Sequence, residues 1–147
     1  MNIKFTGKQL DLDDSKKALI QEICDSVSTI ISLPNSVEIV IRTVNKSIHG
    51  FLDVNAINKI HLSSELLLPD IPIVLVHELI HLHQKHIGDL QGAGHHAIFW
   101  KNKAYTKPDY SKMSLQEYNT YPWEADVVKK QQEIMDQISH KISRFLG

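Results

Sequence analysis

The sequence predicts an α+β fold, and three observations carry that expectation. An amphipathic stripe follows Asp13, short alternating runs follow Ser36, and two longer helical stretches occupy the chain after Asp70. The expected order is an N-terminal helix, a small and mostly antiparallel sheet, a central helix and C-terminal helices, in a single domain over residues 1–147.

Residues 1–12 are short and mixed, with a strand through Ile3 and Phe5 and a turn at Gly7. Asp13-Asp14-Ser15 carries side-chain oxygens suited to a helix start, after which Leu19, Ile23, Val27 and Ile30 recur with Ile20, Cys24 and Ile31 beside them. That stripe reads as core rather than partner surface, and it ends before Pro34-Asn35. Val37, Ile39, Ile41 and Thr43 alternate with Glu38 and Arg42, the period-two pattern of a strand with one buried face. Asn45-Lys46-Ser47 turns the chain, and residues 49–54 and 59–62 form two more short strands, joined through residues 55–58 as an antiparallel pair. His49 and His61 read as strand surface.

A helix is expected from residue 71. Asp70 can cap it, Pro72 fits a first turn that needs no N–H, residues 73–76 are apolar, and Gly88 offers a stop after His86. Residues 89–94 then form a connection containing Gly92 and Gly94. A short helix is expected from His95, because Phe99 and Trp100 follow at one helical turn and can anchor it. Residues 107–110 break that helix, and residues 111–121 make an irregular or partly helical crossing. Pro122-Trp123-Glu124-Ala125-Asp126 opens a last helix, with Val127, Ile134, Ile138, Ile142 and Phe145 as its apolar positions.

Composition narrows the function classes. The 147 residues can bury a core without staples, and 42% apolar with 22% charged residues fits neither a disordered nor a fibrous chain. A net charge of −1 gives no whole-chain signal for nucleic acid or an anionic membrane. The single cysteine, Cys24, excludes an internal disulfide and a cysteine-based zinc ribbon. No cationic and apolar leader opens the sequence and no apolar run approaches a membrane span, so a cytoplasmic location without membrane contact is expected. Histidine is the anomaly: of nine, six (His77, His81, His83, His86, His95 and His96) fall within twenty consecutive positions.

Within that cluster, His77-Glu78-Leu79-Ile80-His81 sets two histidines four apart on one helix face, so both imidazoles can reach one metal ion while Glu78 projects beside them. Neutral imidazole suits Zn2+, and a carboxylate that is not itself a ligand can take a proton from the bound water. This is the His-Glu-x-x-His signature of zincin metallopeptidases. A buried amphipathic helix whose histidines only hydrogen-bond is the plainer alternative, and the helix context favours the metal.

Catalytic zinc sites usually have three protein ligands and one open position. The metzincin pattern is not met, because Gln84 and Ile87 stand where it needs glycine and histidine. His83 and His86 lie off the face shared by His77 and His81. Two candidates remain: His95, after a glycine-containing loop and ahead of Phe99-Trp100, and Glu124, near the start of the last helix in the manner of thermolysin-like zincins. His95 is preferred on local pattern, and its neighbour His96 could exchange roles with it.

These residues carry a resemblance. Gly50-Phe51-Leu-Asp-Val, Ile60-His-Leu-Ser-Ser, Val76-His77-Glu78-Leu79-Ile80-His81 and Gly94-His95-x-x-x-Phe99-Trp100 together resemble the SprT-like zinc metallopeptidases and their small bacterial relatives. The resemblance spans about residues 50–101 and implies a zincin-like fold, zinc held by His77, His81 and His95, and Glu78 as general base. The chain departs from the family pattern in having His96 where glycine is common and in lacking the cysteine ribbon, which removes support for a DNA-binding role by analogy. Pro122-Trp123-Glu124 also resembles a segment found after the motif in other small zincins, which keeps Glu124 open as ligand or as partner of a histidine ring.

The expected function is zinc-dependent hydrolysis of a polypeptide. Zinc polarises the scissile carbonyl, Glu78 takes the proton of the bound water and passes it to the leaving amine, and His96 or one of Tyr105, Tyr118 and Tyr121 stabilises the oxyanion. Two alternatives stand beside it. A non-catalytic metal-bound interaction domain has no use for a free base such as Glu78. A nucleic-acid-associated protease draws only on Lys101, Lys103 and Lys107, a run that more often forms a solvated face.

Overall fold

The computed structural model describes residues 1–8, 12–43 and 49–146. In chain order they form β1 (Asn2–Gly7), α1 (Asp14–Ser28), β2 (Ser36–Arg42), β3 (Gly50–Leu52), β4 (Lys59–Ser63), α2 (Ile71–His86), β5 (Leu90–Gly92), β6 (Ala97–Trp100), β7 (Lys103–Thr106), α3 (Leu115–Tyr118) and α4 (Pro122–Ile142). Among the described residues this is a mixed α+β arrangement of four α-helices and two small sheets. The turn expected at Asn45-Lys46-Ser47 lies outside them.

The first sheet runs in the order β1-β2-β4-β3. β1 pairs with β2 in parallel, which requires a crossover, and α1 is that crossover. Asp13 starts it by accepting the backbone N–H of Lys16. β2 and β4 are also parallel, and only the edge strand β3 runs antiparallel, against β4. The expectation of a mostly antiparallel sheet is therefore corrected for this sheet. Alternating apolar residues mark a buried face but carry no information about strand direction, which the crossover decides.

One face of the sheet is apolar. Val37, Ile39 and Ile41 of β2 and Ile60 and Leu62 of β4 pack with Leu19, Ile20 and Ile23 of α1, Leu75 and Leu79 of α2, and Val127, Ile134 and Ile138 of α4. Burying each such side chain stabilises the fold by roughly 1.5–3 kcal/mol, and the three long helices share this one core. His61, expected on a strand surface, is instead buried: Phe51 of the edge strand stacks on it, ring centroids 4.3 Å apart and 8° from parallel. The covering aromatic comes from the neighbouring strand, which the pattern of residues 59–62 does not show.

α2 has Pro72 in its first turn, while Asp70 stands at the cap position without a side-chain cap bond. Gly88 follows the helix at φ 87°, a conformation that costs other residues, and its N–H closes the end on the Lys85 carbonyl.

The second sheet corrects the expected helix at His95. β5, β6 and β7 form an antiparallel meander, and residues 97–100 are a strand. Lys101 and Asn102 both have positive φ, 48° and 68°, and make the two-residue turn that pairs Trp100 with Lys103. Ile98 and Trp100 alternate inward and meet Leu90 and Trp123 in a separate small core. That core fixes the residue immediately before Glu124. No helix among the described residues is long and apolar enough to cross a membrane.

Candidate metal centre

The site lies where α2 meets the first turn of α4. Leu75, Leu79 and Leu82 are fully buried on α2, and this orientation aims His77, Glu78 and His81 together, with one ligand-type atom of each within 4.8 Å of the others. The imidazoles of His77 and His81 meet edge to face, 5.0 Å between centroids. Glu78 and His81 are buried, whereas His77 is partly exposed, so the site opens to solvent on the His77 side.

Glu124 completes the group from α4. Its Oε1 lies 2.7 Å from His81 Nε2 and 3.5 Å from His77 Nε2, and the residue is buried. Pro122 occupies the first turn of α4, and a carboxylate in that turn is also favoured by the positive end of the helix. Burial acts to raise the Glu124 carboxyl, but the hydrogen bonds and charges of His77 and His81 outweigh it and hold the pKa at about 2. For His81, burial acts against the charge, yet the hydrogen bond and charge of Glu124, with Glu78 behind them, raise its pKa to about 9. Without a metal, His81 and Glu124 thus form a buried ion pair.

Glu78 is different in kind. Burial raises its pKa above the ordinary carboxylate value, the two histidines oppose that, and the backbone N–H of Leu52 on β3 donates to it. It lies beside the ring nitrogens, while Glu124 is the carboxylate bonded to them.

Two tyrosines close over Glu124. The Tyr118 hydroxyl is 3.1 Å from His77 Nε2, and both Tyr118 and Tyr110 lie near enough to Glu124 to feel its charge. Burial, then the charge of Glu124, pushes both phenols up, so both remain protonated donors. Tyr110 in turn accepts from Trp123 Nε1 at 3.0 Å. Of the tyrosines singled out in the sequence, Tyr118 reaches the site, whereas Tyr105 and Tyr121 pack on Trp123.

His95 and His96 are not brought to this group. Both are exposed in the connection between β5 and β6, and the groups that meet the histidine pair come from α4 and the segment before it. Tyr110 and Gln84 went unrecognised in the sequence as site residues. Gln84 appeared there only as a mismatch to another pattern, although its position three residues after His81 puts it one helical turn on.

No protein-family model, curated protein or solved structure matches the chain.

Proposed function

We propose that the chain is a zinc-dependent metallopeptidase with a zincin-like fold, in which His77, His81 and Glu124 hold the metal and Glu78 is the general base. The observation that carries this reading is the Glu124 carboxylate oxygen against the Nε2 atoms of both histidines, 2.7 Å and 3.5 Å away, with the second carboxylate alongside. Two imidazoles and one carboxylate match the donor set of a catalytic zinc site that keeps a position open. Bound there, Zn2+ would polarise a peptide carbonyl and acidify a water molecule.

The chain's own residues divide the remaining work. Glu78 is oriented by the Leu52 N–H and has its pKa raised by burial, toward the range in which a base both accepts and returns a proton near neutrality. Tyr118, kept protonated, places a phenol O–H on the open side beside His77. The antiparallel edge strand β3 flanks α2, and an extended polypeptide could pair along that edge. A glutamate from the later helix, in the thermolysin-like manner, replaces His95 in the ligand set that the SprT-like resemblance implies.

Metal analysis and a paired variant test this. The protein purified without chelator should carry about one zinc per chain, and His77→Ala or His81→Ala should lose it. Glu78→Gln should keep the zinc and the fold while peptide hydrolysis drops by roughly 10²-fold or more, since the amide keeps the shape without the proton-accepting charge. Hydrolysis within a few-fold of the parent removes Glu78 as base, and a zinc-loaded parent that cleaves no polypeptide leaves the binding-domain alternative.

A further inference from the structure

Gln84 is fully buried between α2 and α4. Its amide nitrogen donates to the Trp123 carbonyl and to Asp126 Oδ2, each at 2.9 Å. A carbonyl and a carboxylate oxygen can only accept, so turning the amide round would set its oxygen against two acceptors. The amide orientation is thereby decided by α4. Its oxygen then faces His81 Nδ1 at 2.8 Å, and because an amide oxygen can only accept, Nδ1 must carry a proton. In a neutral His81 ring the lone pair is left on Nε2, the atom that points at Glu124. Asp126 is held in turn by Lys130 Nζ at 3.0 Å, so the relay Lys130, Asp126, Gln84, His81 runs from the surface of α4 to the site.

We infer that Gln84 is the positioning residue of the metal centre: it fixes the ring orientation and tautomer of His81 so that Nε2 is presented as the ligating atom. This rests on the metallopeptidase reading for the identity of the ligand, but the hydrogen-bond logic does not need the metal. The competing role is a structural pin between α2 and α4, which the same buried amide would also perform.

Two variants separate these roles. Gln84→Met and Gln84→Glu both lose the donation to the Trp123 carbonyl and should both lower the melting temperature. Only Gln84→Glu keeps an oxygen for His81 Nδ1–H. Zinc affinity, measured by competition with a chelator, should fall about 10- to 100-fold in Gln84→Met and stay within a few-fold of the parent in Gln84→Glu. Equal losses in the two variants would reduce Gln84 to a pin and overturn the inference.

Nitrogen-15 NMR of the histidine rings gives a readout independent of activity. The parent, with or without zinc, should show a slowly exchanging His81 Nδ1–H that Gln84→Met loses. Should Gln84→Met fail to fold, the parent still decides: zinc on Nδ1, or an Nδ1–H exchanging like that of free imidazole, refutes the role. A parent that takes up no zinc but keeps the protected signal sinks the metallopeptidase reading while leaving the orientation of His81 by Gln84 intact. Normal zinc uptake without that signal does the reverse.

Discussion

The carboxylate of Glu124 is held by His81 Nε2 at 2.7 Å, with His77 Nε2 at 3.5 Å and the phenols of Tyr110 and Tyr118 beside it. A buried carboxylate so surrounded has its lone pairs satisfied, and a metal taking the place of the histidine protons would keep it so. Glu124→Ala is therefore expected to weaken zinc binding as much as His81→Ala does. His95→Ala, at an exposed loop position, should bind like the parent. Chelator competition on the three variants checks this, and a strong loss in His95→Ala alone would return the third position to His95. His77, Glu78 and His81 were legible in the sequence because the spacing of a helix is local and periodic. The partner of His81 stands 43 residues further on, and its arrival depends on how α4 packs against α2. The preference for His95 came from a nearby glycine and aromatic pair, which is evidence about the local chain and not about what crosses the site.

The long helices were legible for the same periodic reason, each with a starting residue in place: Asp13 for α1, Pro72 for α2, Pro122 for α4. The second sheet was not. Phe99 and Trp100 lie one helical turn from His95, but the alternation of Ile98 and Trp100 and the turn at Lys101-Asn102 serve a hairpin, and a four-residue strand offers too few positions to separate the two periods. The sheet that matters most for the site is at β3, where Gly50 lets the strand lie close to α2. A Cβ there would stand 2.9 Å from the His61 carbonyl oxygen, 3.0 Å from Leu62 Cδ2 and 3.1 Å from Val74 Cγ1 on α2. The carbonyl belongs to the pairing strand and has little freedom to give. Gly50→Ala is expected to cost about 1–3 kcal/mol and to push β3 away from α2. Because Leu52 on that strand donates to Glu78, hydrolysis should fall further than zinc affinity. Chemical denaturation alongside zinc titration tests it, and an unchanged midpoint would show that β3 yields freely.

At the scale of the whole molecule, the buried pair makes stability depend on pH, and metal removes the part of that dependence that His81 carries. His81 has its folded pKa raised from an ordinary 6.5 to about 9, so its contribution is complete below 6.5 and is lost as pH rises through 9. Glu124 has its folded pKa lowered from 4.5 to about 2, so its contribution is complete above 4.5 and is lost as pH falls toward 2. Glu78, a carboxyl with a raised pKa, adds a loss as pH climbs above its ordinary 4.5. The zinc-free protein is thus expected to be most stable between about pH 4.5 and 6.5 as far as His81 and Glu124 decide it, and to weaken toward pH 9 by on the order of 3 kcal/mol, which is roughly 6–12 °C in Tm for a domain of this size. Zinc cancels that slope. It requires the neutral His81 ring, so each metal bound near neutrality displaces a proton, and affinity should climb with pH until His81 is deprotonated without help, near 9. Ligand stabilisation grows with affinity, so the gap in Tm between loaded and zinc-free protein should widen steadily from pH 6 to pH 9. Thermal melts at fixed free zinc across that range measure the gap, and calorimetric titrations in buffers of different ionisation enthalpy count the proton released. A gap that stays constant, with no proton released at pH 7, would mean that zinc does not displace the His81–Glu124 proton and that the metal binds elsewhere.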